Sequence, residues 1–193
     1  MTARTRRIAF ISCALFLASA YCAAPLAGVQ RFPATGSIEI AFTPGDAIDN
    51  LVINAIDGAK SEVLVHAYSF THRRIARALV RARQRGVSVA VIADREQARA
   101  LPQNALPELV MGGVDVCLDA NFQAAHNKIV IIDAESERAI TITGSYNFTL
   151  AAQHNNAENV IVLRENPPVA RAYRSNWQRL KAACVPWSED TLK

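Results

Sequence analysis

Several things are scarce in this chain of 193 residues, and each scarcity excludes a class of protein. No apolar run reaches the ~20 residues that a membrane-spanning helix needs; the longest, Ile8 to Ala20, is thirteen residues. Cysteine is sparse: of four, only Cys117 and Cys184 lie beyond the first 24 residues. Their spacing fits no zinc site, and they are too few for a disulfide scaffold. In an oxidising compartment they can pair, and as buried thiols they can equally stay apart. No carboxylate cluster suggests the bridging ligands of a two-metal nuclease, so neither a metal nor another cofactor is expected. Internal repeats and low-complexity segments are absent.

The apolar run belongs to a leader. Arg4, Arg6 and Arg7 precede it, and small residues follow at Ala18-Ser19-Ala20 and Cys22-Ala23-Ala24. That is the anatomy of a secretory signal peptide over 1–24, predicting a periplasmic or secreted protein without stable membrane insertion after cleavage. Removing 24 residues from 193 leaves 169, enough for one domain with a sizeable core. The same removal takes 21 basic residues to 18 against 17 acidic ones, so any basic footprint must be local. Residues 25–35 read as a linker, 36–187 as the domain and 188–193 as a tail.

From Gly36 the pattern alternates strand and helix. Strands are expected at Ser37 to Phe42, Val63 to Ser69, Val87 to Ala93, Val114 to Leu118, Lys128 to Asp133, Ala139 to Thr143 and Val160 to Leu163. Helices are expected at Asp46 to Ala59 (Asp46 as N-cap), Arg73 to Arg85, within Arg95 to Met111, at Ser145 to Ala152 and at Pro167 to Ala183. The short connection Ala134 to Arg138 suggests a hairpin. The alternation predicts an α/β fold, a single-domain mixed β-sheet flanked by helices on both faces. Val169, Tyr173, Trp177 and Leu180 recur at helical spacing as a core-facing stripe.

The chemistry concentrates at His126-Asn127-Lys128, followed by Asp133 and then Gly144-Ser145-Tyr146-Asn147. A β-branched run, Ile129 to Ile132, makes this a buried strand, and alternation sends His126 and Lys128 to one face. Polar groups entering such a strand are costly unless partners or a ligand satisfy them. An imidazole, an ammonium and a carboxamide together suit a phosphate: a nucleophile, a cation and an amide donor.

This pattern, His-x-Lys-x4-Asp followed by Gly-Ser-x-Asn, resembles the signature of the phospholipase D superfamily, in particular its small single-motif bacterial endonucleases. The segments Val63 to Asp94 and Asn155 to Val162 look like the same family's flanking regions. The resemblance implies a phospholipase D-like fold and a metal-independent phosphodiesterase. Catalytic roles fall on His126, Lys128, Asn147, Glu158 and Ser145, with Asp133 and Gly144 as structural members of the motif. Glu158 matches a family glutamate that orients the imidazole; Ser145 joins the phosphate cradle or caps a helix starting at Tyr146. Asp133 is expected to be structural, paired with a cation, and His66 to be core or cleft-lining.

In-line displacement at phosphorus needs a nucleophile on one side and a proton donor on the other. One histidine cannot be both in the same step, and neither His66, His72 nor His154 is followed by lysine two residues on. A two-fold homodimer supplies the second copy, and the resemblance implies the same arrangement. The expected mechanism is a phosphohistidine on His126 of one subunit, with His126 of the other as acid and then base. Arg73, Arg77 and Arg81 recur every four residues with few acids nearby in sequence. They are either a solvated face or a phosphate-tracking stripe for DNA or RNA. The leading expectation is a non-specific DNA endonuclease. The alternatives are a phospholipase acting on phospholipid head groups, and a non-catalytic nucleic-acid-binding module.

Overall fold

The structure is a computed structural model that describes residues 28–192; the leader falls outside the described residues. Eight strands form one mixed sheet in the order β1-β7-β6-β5-β2-β3-β4-β8. The strands are β1 (Ser37–Thr43), β2 (Glu62–Ala67), β3 (Ser88–Asp94), β4 (Asp115–Asp119), β5 (Lys128–Ile132), β6 (Ile140–Gly144), β7 (Glu158–Arg164) and the two-residue β8 (Val185–Pro186). The helices are α1 (Ile48–Gly58), α2 (Arg73–Gln84), α3 (Arg95–Ala100), α4 (Leu106–Met111), α5 (Leu150–His154) and α6 (Pro167–Lys181). The pair β2–β3 and the pair β3–β4 are parallel, and the other pairings are antiparallel. This is the expected α/β sheet with helices on both faces.

Alternation decides which face each strand residue serves. On one face, Val63 and Val65 of β2, Val130 and Ile132 of β5 and Val160 and Val162 of β7 pack with Ile56 of α1, Leu79 of α2 and Leu109 of α4. On the other, Leu64, Ile129 and Ile131 meet Ala170, Trp177 and Leu180 of α6. Each fully buried Ile or Leu stabilises the fold by roughly 1.5–3 kcal/mol. The aromatic stripe of α6 is core, as the periodicity predicts: Trp177 is 5% exposed and donates Nε1–H to the Val65 carbonyl at 2.9 Å. Cys117 on β4 and Cys184 beyond α6 form a disulfide, with Cα atoms 5.8 Å apart.

Several local expectations are corrected. Asp46 does not cap α1; its Oδ2 accepts from the Phe42 amide at 2.8 Å, and Ala47 occupies the cap position without a side-chain bond. The region Arg95 to Met111 is helical and loop-like, as expected: two helices whose connection Asn104 ties, donating to Ala98 and Leu101 and accepting from Leu106. Helix α5 starts at Leu150, not Ser145, capped by Thr149 Oγ1 accepting from Ala152 N at 3.0 Å. The chain end taken as a tail contains a 3-10 turn, Asp190–Leu192.

The arginines of α2, with Arg85 just beyond it, have acidic neighbours that the sequence order does not show. Arg73 and Arg77 pair with Glu108 of α4, and Arg81 and Arg85 pair with Asp57 of α1. Acids remote in sequence therefore neutralise a stripe that looked uncompensated. These pairs are solvent-exposed and worth ~0–1 kcal/mol each.

Candidate active site

Three antiparallel neighbours bring the motif together. Strands β5 and β7 begin, and β6 ends, at the same edge of the sheet. Lys128 opens β5, Gly144 closes β6, Glu158 opens β7, and the connection from β6 to α5 carries Ser145 and Asn147. With His126 these residues line one open cleft of about 460 Å³. All five residues expected to be catalytic share it, and so does Gly144.

His126 arrives on the loop between β4 and β5, and the loop is fastened. Asp94, 2% exposed at the end of β3, accepts Gln97 N with one oxygen and Ala125 N with the other, both at 2.7 Å. One carboxylate thus caps α3 and anchors the residue before His126. The imidazole itself is exposed and lies 4.2 Å, centroid to centroid, from the Tyr68 ring. On the other face of the sheet, the Asn127 amide nitrogen is 3.2 Å from His66 Nδ1. Burial lowers the His66 pKa, against the raising pull of Asp119 and Asp94, with Lys128 adding to the lowering. His66 is thus a neutral buried residue that steadies Asn127, in keeping with the core or cleft-lining role expected.

Lys128 is 6% exposed. Its Nζ donates to the His126 carbonyl at 2.8 Å and lies 4.8 Å from the Tyr68 ring centroid, within cation–π range. Burial lowers its pKa, and the nearby Glu158 carboxylate opposes that shift. The ammonium is therefore poorly solvated and gains from an anionic ligand.

Gly144 is glycine because of close approach: a Cβ there would collide with the Asn159 carbonyl and the Val160 backbone on β7. Ser145 is not a helix cap. Its amide donates to the Asn159 carbonyl at 3.0 Å and its Oγ accepts from the Asn159 amide at 3.0 Å, locking the end of β6 to β7. Asn147 is half-buried, and its Oδ1 has no hydrogen-bond partner among the described residues. Between them Tyr146 points into the core, 1% exposed, bonding Gln153 Oε1 at 3.2 Å; burial raises its pKa. Glu158 accepts from Asn156 Nδ2 at 2.9 Å, so the recorded hydrogen bond of the expected orienting carboxylate goes to Asn156 and not to the imidazole.

Asp133 lies at the far end of β5, away from this cleft. It is buried and holds the turn into β2. Oδ1 accepts from Ser61 N, Ser61 Oγ and Glu62 N at 2.7, 2.7 and 2.9 Å, and Oδ2 accepts from Lys60 N at 2.8 Å. Burial alone would raise its pKa, but the donors of Glu62, Ser61 and Lys60 together hold it below the ordinary value. Its partners are backbone amides and a hydroxyl rather than the cation expected.

Sequence reasoning gave no role to Tyr68 or Asp94. Tyr68 carries no local signal; only the pairing of β2 with β5 sets it against His126 and Lys128. Asp94, an acid at a strand end before a helix, was legible as an N-cap, but its bond to Ala125 was not. Among the described residues no group of three or more His, Cys, Asp or Glu side chains could hold a metal ion. None of the described helices is long and apolar enough to cross a membrane.

Comparison with known proteins agrees with this geometry. The family model described as "Cardiolipin synthase, PLD-like domain" matches residues 52–181. A phospholipase D of Rickettsia felis is 38% identical over 146 residues, spanning 76% of this chain and 70% of the relative. Among solved structures, Nuc, a phospholipase D family member from Salmonella typhimurium, superposes with a TM-score of 0.73 at 32% identity, over 79% of this chain and 99% of Nuc. NucT from Helicobacter pylori superposes with a TM-score of 0.70 at 28% identity, over 78% and 99% of the two chains.

Proposed function

Since the chain belongs to the phospholipase D superfamily and is a phosphodiesterase of that class, we propose that it is a metal-independent, non-specific endonuclease. It cuts DNA, and RNA by the same chemistry, through a phosphohistidine at a homodimer interface. The observation that carries this reading is the content of the cleft: a single exposed imidazole beside a buried ammonium, a carboxamide and a carboxylate. The imidazole nitrogen of His126 attacks phosphorus, and the bond to the leaving oxygen breaks as His126 of the second subunit protonates it. That second imidazole then takes a proton from water, which displaces His126 from phosphorus and restores the enzyme. Lys128 and Asn147 stabilise charge on the non-bridging oxygens.

An exposed apolar surface supports the dimer. On β1, Ile38, Ile40 and Phe42 are 52%, 61% and 57% exposed, and the first two stand opposite Leu163 and Ile161 of β7. This apolar strip runs toward the strand ends that carry the cleft, since Phe42 pairs with Asn159, next to Glu158. A second copy is the occupant that also completes the chemistry. Replacing Ile40 and Phe42 together by Glu is expected to give monomers in sedimentation and to cost roughly 10²–10⁴-fold in kcat, the worth of a positioned proton donor. A fully active monomer refutes the arrangement.

One observation favours a second reading, hydrolysis of phospholipid head groups: the Rickettsia felis relative is a phospholipase D. Plasmid DNA and phospholipid vesicles, each incubated in EDTA with wild type and His126→Ala, decide between them. DNA cleavage by the wild type alone is expected. Head-group release without DNA cleavage favours the second reading, and dependence on a divalent ion refutes the metal-free mechanism. DNA binding without cleavage leaves a non-catalytic module.

A further inference from the structure

A second cleft, of about 350 Å³, adjoins the first and has no part in the chemistry above. His126 lines both clefts, so whatever fills the second lies against the nucleophile. Its other walls include Phe122, Asn127, Asn176 and Arg179. Phe122 is 51% exposed, a large aromatic that the core does not claim. Its loop is nonetheless held in place. Asn121 Nδ2 donates to the Ala183 carbonyl at 2.9 Å, the Asn121 amide donates to Asp119 Oδ1 at 3.0 Å, and Ala125 is tied to Asp94. The Cys117–Cys184 disulfide fastens the preceding strand to the end of α6. The ring is thus presented from a braced segment, as a binding platform requires.

Arg179 supplies the complementary charge. It is exposed on α6, donates to Asn176 Oδ1 at 2.8 Å, and pairs with no carboxylate among the described residues. Arg73, Arg77 and Arg81 of α2, by contrast, are each paired with Glu108 or Asp57. An aromatic face and a guanidinium that no carboxylate among the described residues neutralises, beside a phosphate-cutting histidine, match one ligand chemistry: a nucleotide, with a base to stack and a phosphate to pair. A duplex keeps its bases stacked on one another and cannot offer that face.

We propose that the second cleft seats the nucleotide next to the scissile phosphate, its base on Phe122 and its outer phosphate on Arg179. The preferred substrate is then a strand with unpaired bases. This rests on the nuclease reading, deepens it to a substrate form, and makes Phe122 a specificity-determining residue.

The test uses full-length protein and four substrates: a single-stranded oligonucleotide, its duplex, the same strand abasic at the flanking position, and phospholipid vesicles. Phe122→Ala is expected to lower kcat/KM on the single strand roughly tenfold, near the lower end of one base-on-aromatic contact. The duplex rate should be unchanged. The abasic strand should cost the wild type the same tenfold and cost Phe122→Ala nothing more. Phe122→Trp should restore the rate, and Arg179→Ala should flatten its salt dependence. Equal rates for wild type and Phe122→Ala on the single strand, or an equal loss on the abasic strand, overturn the subsite while leaving the nuclease reading intact. A wild type that cuts no nucleic acid but hydrolyses vesicles overturns both.

Discussion

The aspartate of the His-x-Lys-x4-Asp pattern offers a sharp test, because proximity in the motif and position in the fold disagree. Asp133 collects four hydrogen bonds from residues 60–62 at the end of the sheet remote from His126. Its backbone has φ +48°, a left-handed conformation that Asp and Asn tolerate better than most residues. Asp133→Asn therefore keeps backbone and shape while removing the charge. The three bonds to Oδ1 survive as neutral ones, each weaker by roughly 0.5–1.5 kcal/mol. The fourth is lost, because an amide nitrogen would face the Lys60 N–H. Relief of a buried charge offsets part of this, leaving a net destabilisation of about 2 kcal/mol. For a domain of this size that is a fall in Tm of roughly 4–8 °C. Asp133→Ala loses the three bonds to Oδ1 as well and adds strain at the left-handed φ, and should cost roughly 3 kcal/mol or more beyond Asp133→Asn. The sign with pH follows from a pKa held below its ordinary value of 3.8. The contribution is complete above 3.8 and fades as pH falls through the lower folded-state value, so wild type and Asp133→Asn should converge in strong acid. Thermal melts from pH 2 to 8, with kcat/KM well below Tm, are the assay. A large loss of kcat/KM with an unchanged Tm would refute the assignment of Asp133 to structure.

Lys128, whose pKa burial lowers from 10.5, should give kcat/KM an alkaline limb below that pH as the ammonium loses its proton; Lys128→Arg should move the limb upward, and an unmoved limb would exclude Lys128. Replacing Cys117 and Cys184 by Ser opens a link across a sequence separation of 67 and should cost ~3–4 kcal/mol in urea unfolding, whereas a change under 1 kcal/mol would contradict the crosslink. Gly144→Ala should push β6 away from Asn159 and lower kcat by at least about tenfold, because displacements near 1 Å at a catalytic cradle are that costly; full activity would mean that the strand ends yield.

The periodicities of β5 and α6 were legible because burial on a fixed face writes itself into residues two or about four apart, whatever lies across the interface. The motif residues His126, Lys128, Ser145, Asn147 and Glu158 were legible through resemblance, and the antiparallel register of β5, β6 and β7 does bring them to one cleft. Two matters were not legible, each because it joins segments distant along the chain. Acids on α1 and α4 pair with Arg73, Arg77 and Arg81 of α2, and the turn before β2 claims Asp133. Helix boundaries erred where a side chain bonded away from the helix: Asp46 turned back to the Phe42 amide, and Ser145 crossed to Asn159 on β7. The sequence by itself therefore determined which residues face the core and which side chains make up the motif, since both depend on side-chain type and short spacing. Only the tertiary structure decided which charges stay uncommitted and that His126 stands between two clefts, because those depend on distances between strands and helices that the chain order does not contain.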